Sequence, residues 1–407
     1  MNRLATRFAG LAIANPIIIG SGPNTDTVED ILRAEDAGAG AAITKSIGLH
    51  PPTPCGPLDQ RRYSWHKGRG MHLKSTYLKE VLSLDAGCAL VGDTARRCVF
   101  PVIASAFYPA LSNEEDVRKW AGLLRALADA GAAAVQLDFF YIDFRKLDDA
   151  QIEQVSSRVE RLCQSIDVPV FPKLNASMDE DLVRALCRVP SAAGFVLIDS
   201  IRCEPYLDLA RGGSPVHDGE LHRAGRSLSV LAGEPLLPLT LSMLQRVARN
   251  TIQPLCAGGG LCKADDVLEC LLLGASAVHI TSYLMRAGLR RIETLKRGLL
   301  AYLDAQQVPA LDALIGSALA NSSGEGNRFV KETPTVSQRV RFVPNLCVDC
   351  GVCERLGACE AFVHKPYRFE AHCDGCSLCV PLCPTRALVL DPVPSVPVPG
   401  GGLNVRP

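Results

Sequence analysis

Three things are missing from this chain of 407 residues. It carries no excess charge of either sign, with 43 Lys and Arg against 43 Asp and Glu, which removes a whole-chain electrostatic grip on nucleic acid or an anionic membrane. It has no apolar run near the ~20 residues that a membrane helix needs. The short apolar stretch around Arg3 and Arg7 is cut by Asn15-Pro16 with no small-residue cleavage site behind it, so neither a signal peptide nor a spanning segment is expected. A cytoplasmic, reducing location is the expectation, and there a disulfide framework is a poor use for cysteine. It also lacks a dinucleotide fingerprint of strand, spaced glycines and following acid. Electrons from a nicotinamide would have to arrive through another chain.

What the chain has in quantity is cysteine. Of 17, eight fall within the 37 residues from Cys347 to Cys383, and the other nine are scattered before them. The two sets do different work. With 47% hydrophobic and 21% charged residues, close to globular averages, the chain can bury the core of one large domain plus a small one.

Short apolar runs at 17–19, 41–44, 102–104, 134–137, 170–174, 194–198, 254–257 and 277–280 are rich in Val and Ile and lack strict alternation, as strands buried on both faces do. Helical spacing fills segments between them, such as 114–130, 149–165, 178–188, 239–249 and 263–273. Eight strands alternating with helices over this length predict an α/β fold, a (β/α)8 TIM barrel, with a doubly wound open sheet as the competing layout. The expected division is a barrel over 1–305, a linker over 306–340 marked by the Ser/Gly/Asn run at 321–327 and Pro334, a cysteine domain over 341–391, and a Pro/Gly-rich tail over 392–407.

The cysteine domain holds Cys347-x2-Cys350-x2-Cys353-x5-Cys359 and Cys373-x2-Cys376-x2-Cys379-x3-Cys383-Pro384. The second run has the bacterial ferredoxin spacing, in which three close thiolates wrap one [4Fe–4S] cubane and the fourth reaches the other. On that pattern Cys347, Cys350, Cys353 and Cys383 hold one cluster, and Cys373, Cys376, Cys379 and Cys359 the other, in a small ferredoxin-like 2[4Fe–4S] domain that moves single electrons. Zinc is the alternative, but it closes with two pairs rather than triplets plus a distant fourth. The x5 spacing in the first run departs from x3 and indicates a small insertion.

In the barrel, Gly258-Gly259-Gly260 ends one predicted strand just before a helix, where bare backbone N–H groups can approach a phosphate. Thr281 and Ser282 end the next, the usual place for a second phosphate loop. Lys45 and Lys173 sit at strand ends, where an unpaired ammonium would be costly. With Asn15-Pro16, Gly20-Ser21-Gly22, Thr44-Lys45-Ser46, Pro172-Lys173-Leu174, Asp199-Ser200 and Gly274-Ala275…Val278-His279-Ile280, these motifs resemble, in order and approximate spacing, the dihydroorotate dehydrogenase family over residues 1–303. With its cysteine domain the whole chain resembles the pyrimidine-reducing half of dihydropyrimidine dehydrogenases.

The resemblance implies an FMN-dependent oxidoreductase that exchanges hydride with a C–C or C–N bond of a small, nitrogenous substrate. Ser21, Gly22, Lys45, Ser46, Lys173, Gly258, Gly259, Gly260, Thr281 and Ser282 would contact FMN, with Lys173 near its N1/C2 carbonyl. In that family the loop after the fourth strand carries a cysteine or serine that exchanges the proton. Here the stretch reads Asp138-Phe139-Phe140-Tyr141-Ile142-Asp143, which leaves Tyr141 as first candidate, since a phenol of pKa ~10 can donate, and Asp143 as second. A purely packing role for the aromatic run is the plain alternative, and Cys203 or Cys256 could replace the thiol from another loop.

Two substrate-binding asparagines of the family align with Asp138 and Asp199, beside Ser200. A carboxylate keeps the acceptor and loses the donor, so the ligand should offer N–H groups or positive charge, and anionic dihydroorotate is a poor fit. The basic segment 55–74 reads as a lid or as a solvated loop. The implied partners are the small-molecule substrate and an external donor, an NAD(P)H-dependent flavoprotein subunit or a ferredoxin, with a homo-oligomer left open. The second functional class is a flavin and iron–sulfur electron-transfer protein with a degenerate substrate site.

Overall fold

The computed structural model describes residues 2–49, 63–66, 70–74, 81–140, 142–198, 200–203, 207–215, 229–321, 338–355, 359, 362–363, 368–369, 373 and 375–392. Chain contacts divide it into two units, Met1–Gly324 and Glu325–Pro407.

The first unit is built on eight parallel strands: β1 (Ile17–Ile19), β2 (Ala41–Ile43), β3 (Val102–Phe107), β4 (Ala134–Asp138), β5 (Val170–Leu174), β6 (Phe195–Leu197), β7 (Leu255–Gly258) and β8 (Ala275–Ile280). Each pairs with the next, and β8 returns to β1, so the sheet closes and has no edge. The barrel expectation is met, and the open sheet is excluded. Helices α1 (Val28–Asp36), α2 (Leu84–Arg97), α3 (Glu114–Asp129), α4 (Asp149–Cys163), α5 (Glu180–Leu186), α6 (Leu237–Ala248), α7 (Ala264–Leu272), α8 (Ser282–Ala287) and α9 (Arg291–Ala305) follow the strands. Their starts are written locally. Asn113 caps α3 and Asp148 caps α4, each in a reciprocal capping box, which satisfies backbone donors that the first turn leaves open.

Side chains alternate along each strand between the helix layer and the barrel interior. The interior begins apolar: Ile18, Ile103, Phe171 and Val196 pack with Phe8 and Ile13. Phe8 and Ile13 lie on a hairpin of Thr6–Phe8 and Leu11–Ile13, and Phe8 meets Phe171 edge to face at 5.0 Å. Two residues further along the same strands the interior turns polar: Gln136 then Asp138 on β4, Lys173 after Phe171 on β5, His279 after Ala277 on β8. Asp138, Lys173 and His279 are 5%, 5% and 3% exposed. The apolar-to-polar change therefore runs toward the C-terminal ends of the strands, where barrel sites form.

Two long β-to-α excursions join in one antiparallel sheet. Tyr63–His66 pairs with Gly70–Lys74, that strand with Ser229–Ala232, and the last with Ile201–Cys203. The segment read as a lid or solvated loop thus contributes two strands to this sheet. Cys55 and the rest of that segment lie outside the described residues.

In the second unit, Gln338–Phe342 pairs antiparallel with Leu388–Pro392 over five register positions. Phe362–Val363 pairs with Arg368–Phe369. Val340, Leu388, Cys373 and Cys379 form its buried centre.

Candidate functional site

At the polar end of the barrel, Asp138 and Lys173 are the last register partners of β4 and β5, so their side chains emerge on the same side of the wall. Ser46, just past β2, donates its hydroxyl to Asp138 Oδ2 at 2.7 Å, and the Phe140 N–H donates to Asp138 Oδ1 at 3.1 Å. A carboxylate taken out of water needs such donors. Below it Gln136 Nε2 donates to Ser105 Oγ at 3.0 Å, while Gln136 Oε1 is buried with no partner. The backbone N–H of half-buried Lys45 donates to Thr25 O at 2.9 Å, which ties β2 to the loop after β1. That loop holds Ser21 and buried Gly22, is closed by Thr25 Oγ1 on Gly22, and carries Asn24, whose Nδ2 is buried without a partner.

The three glycines after β7 have separate geometric reasons. Gly259 and Gly260 adopt φ of 99° and 95°, a region open to glycine and costly for other residues. Gly258 does not. A Cβ there would lie 2.1 Å from His279 Nε2, and one on Gly20 would lie 2.2 Å from Thr281 Oγ1 and 3.0 Å from His279 Nδ1. Thr240, fully buried, donates to Gly258 O or Gly259 O at 2.9 and 2.7 Å. Thr281 and Ser282 are half-buried where β8 passes into α8, and Ser200, 7% exposed, precedes the antiparallel strand Ile201–Cys203. Asp199 lies outside the described residues.

The loop after β4 is pinned from several sides. Phe139 is fully buried, edge to face with Trp120 at 5.8 Å and Phe144 at 5.7 Å, so this part of the aromatic run is core. Phe140 instead faces Arg202, whose Nη2 donates to Phe140 O at 2.7 Å and whose guanidinium lies 5.6 Å from the ring centre. Tyr141 lies outside the described residues. Exposed Asp143 accepts from Arg145 Nε at 2.8 Å and Nη2 at 2.6 Å. The Arg145 side chain holds the Asp143 carboxyl at about 2, against a weaker opposing effect of burial, with Arg202 adding to the depression. An acid that weakly basic stays ionised through neutral pH and is an acceptor rather than a proton donor. Cys256 is wholly buried in the barrel interior, and burial first, then Cys270, pushes its thiol up. It is a core thiol, not a replacement nucleophile or acid. Cys163, Cys187 and Cys270 are buried as core residues, as their helical positions predict.

The antiparallel sheet meets the barrel mouth through Arg286 on α8. Its guanidinium stacks 4.3 Å from the Trp65 ring centre, and Nη2 donates to Glu234 at 2.7 Å. Cys262, next to the glycine loop, has its thiol raised to about 12 by burial and by Glu234.

In the second unit one pocket is lined by Cys347, Cys350, Cys353 and Cys383 together with Thr385, Ala387 and Leu388. The Cys383 sulfur accepts from the Ala387 N–H at 3.1 Å and lies 3.7 Å from Thr385 Oγ1. Burial alone would raise this thiol, but these hydrogen bonds outweigh it and leave it lowered. The remaining four associate separately: burial first, with Cys359, Cys373 and Cys376 adding to it, raises the Cys379 thiol to about 11. Among the described residues, no three His, Cys, Asp or Glu converge closely enough to hold a single metal ion.

The sequence assigns no site role to Arg202, Arg286 or the Gln136–Ser105 pair, and His279 enters only as part of the family-like run Val278-His279-Ile280. The two-residue alternation on β4 and β8 was a usable signal for Gln136 and His279. Nothing local marks Arg202 or Arg286, which act on residues 62 and 52 positions away on Phe140 and Glu234.

No family model matches the chain. Among curated proteins, it is 24% identical over 369 residues to the NAD-dependent dihydropyrimidine dehydrogenase subunit PreA of Escherichia coli (strain K12), covering 86% of this chain and 84% of that one. It is 22% identical over 333 residues to the catalytic subunit of dihydroorotate dehydrogenase B (NAD(+)) of Thermoplasma acidophilum, covering 78% and 100%. The corresponding subunit of Thermococcus kodakarensis is 25% identical over 327 residues, covering 78% and 98%. No helix among the described residues is long and apolar enough to cross a membrane. Over most of its length the chain is thus similar to the dihydropyrimidine and dihydroorotate dehydrogenases, the family to which its motifs point.

Proposed function

We propose that this chain is an FMN-dependent, iron–sulfur oxidoreductase that exchanges hydride with the C–C bond of a dihydropyrimidine-type substrate. The observation that carries the reading is the buried pair of charged strand ends, Asp138 and Lys173, at the polar mouth of an otherwise apolar barrel. The residues present fit FMN. Glycines 259 and 260 present bare backbone at positive φ, Asn24 Nδ2 and Gln136 Oε1 are buried polar atoms with no partner in the chain, and Lys45, Ser46 and Lys173 lie at or just past the C-terminal ends of β2 and β5. Bound there, FMN would supply hydride chemistry and the clusters would supply single electrons.

The chain's own residues do the rest. Lys173 would hold the flavin and supply positive charge that stabilises its reduced, anionic form. Asp138, fixed by Ser46 and Phe140, offers acceptor lone pairs to substrate N–H groups and disfavours an anionic substrate, and Asp199 and Ser200 are the further substrate-binding candidates. Tyr141 holds the proton for the carbon opposite the hydride, because Asp143 is committed to Arg145. The cysteine sets Cys347/Cys350/Cys353/Cys383 and Cys373/Cys376/Cys379/Cys359 hold the two [4Fe–4S] clusters, a division supported by the shared pocket and by the mutual proximity around Cys379. The donor is a separate NAD(P)H-oxidising flavoprotein subunit or a ferredoxin.

A second reading, an electron-transfer protein with a degenerate substrate site, is favoured by one observation: both Asp138 oxygens are already engaged within the chain. Turnover separates the two. Anaerobically purified chain supplied with dithionite-reduced electron carrier should convert uracil- or thymine-type rings to their dihydro forms, and Tyr141→Phe should lower kcat by at least ~100-fold. Flavin and clusters that reduce and reoxidise with no ring turned over would establish the second reading instead.

A further inference from the structure

His279 stands where the barrel interior turns polar. The ring is 3% exposed and projects from β8 into the barrel interior two residues above Ala277. It lies over Gly258 of β7 and reaches β6, where Nε2 is 2.9 Å from Leu197 O. On its other side Nδ1 borders Gly20, just past β1, beside Thr281 Oγ1. A carbonyl only accepts, so Nε2 carries the proton and donates. Gly258 and Gly20 are glycines for the same reason: a side chain at either would occupy the space of the imidazole or of Thr281.

The ring therefore spans the ends of β6, β7, β8 and β1. The loops that follow these four strands carry Ser200, Gly259 and Gly260, Thr281 and Ser282, and Ser21 and Gly22, which are the residues assigned to substrate and flavin. We propose that His279 is a positioning residue of the flavin site: by seating on two glycines and donating to Leu197 O, it fixes four strand ends at one height and so sets the spacing of the loops that grip FMN. The inference rests on the FMN reading above and assigns His279 no part in proton or hydride transfer.

Three variants test it through FMN affinity and through melting of the flavin-free protein. His279→Gln keeps an amide N–H within reach of Leu197 O and should bind FMN within about threefold of wild type. His279→Leu fills the space but removes the imidazole's hydrogen bond to Leu197 O, and should weaken FMN at least about tenfold while the flavin-free melting temperature stays within a few degrees. Where leucine does not fold, His279→Met takes its place with the same expectation. Equal FMN affinity in the glutamine and leucine variants, or a leucine variant that melts early yet binds FMN normally, overturns the inference and leaves the flavin reading intact. A wild-type chain that takes up no FMN overturns the flavin reading, and this inference with it.

Discussion

Asp138 and Lys173 are register partners at the last position between two parallel strands, each 5% exposed. Opposite charges on neighbouring strand ends stabilise one another, and removing one takes away part of what offsets the burial of the other in a region short of water. Lys173→Met should therefore destabilise the fold by about 3–5 kcal/mol, and Asp138→Asn combined with it should recover part of the loss. Chemical denaturation of the four proteins gives the coupling, expected at about 0.5–3 kcal/mol. Strict additivity would mean that the two side chains do not feel each other.

Asp138→Asn alone tests the ligand argument. The amide can still accept from Ser46, but it presents one acceptor and one donor where the carboxylate presents two acceptors. Binding of a neutral dihydropyrimidine should weaken by about 10-fold or more, with relative gain for an anionic ring such as dihydroorotate. Calorimetric affinities for both ligands decide it, and an unchanged ratio removes Asp138 from substrate selection.

Asp143 carries a pH signature. Its folded-state value, held at about 2 by Arg145, lies below the ordinary carboxylate range, so the pair's contribution is present above pH ~4 and disappears as pH falls toward 2. Because both partners are exposed, the effect is small, within ~1 kcal/mol. Titration followed by carboxyl NMR should show Asp143 moving upward in Arg145→Gln. A pH–rate profile of turnover that follows the Asp143 titration would return it to the proton-transfer step.

The eight barrel strands were legible because their apolar runs are short, continuous and regularly spaced, and 170–174 matches β5 at both ends. Boundaries slipped where polar interior residues extend a strand: β3 runs on to Phe107 and β4 to Asp138. The hairpin of Thr6–Phe8 and Leu11–Ile13 and the antiparallel sheet were not legible. The sheet pairs Leu73 with Val230, and no local pattern encodes a partner that far along the chain. For the site, glycine and lysine positions stood out by residue type. The reason for Gly258 did not, because it is set by the imidazole of a residue on the neighbouring strand.

Trp65 and Trp120 are the two tryptophans of the chain, and Trp120 is fully buried. Arg286 stacks on Trp65 at 4.3 Å, so Arg286→Ala should alter emission from Trp65 and expose it to iodide quenching, while Trp65→Phe abolishes the difference. Identical quenching of wild type and Arg286→Ala would show that the stack does not persist in solution.

The proposed crossed assignment of the cysteines sets which clusters should fail together. Cys383→Ser should compromise the cluster of Cys347, Cys350 and Cys353, and Cys359→Ser the cluster of Cys373, Cys376 and Cys379, each lowering iron by about four per chain. Paramagnetic resonance of the reduced variants should show the remaining cluster without its magnetic partner. Loss of the same signal in both variants would contradict the crossed assignment.

Anaerobic purification followed by flavin, iron and zinc analysis tests whether one chain holds a flavin and two cubanes. About one FMN and about eight irons per chain are expected, with dithionite bleaching both the flavin band and the broad cluster absorption. Stoichiometric zinc in place of iron, or full cluster content with no flavin, would contradict it.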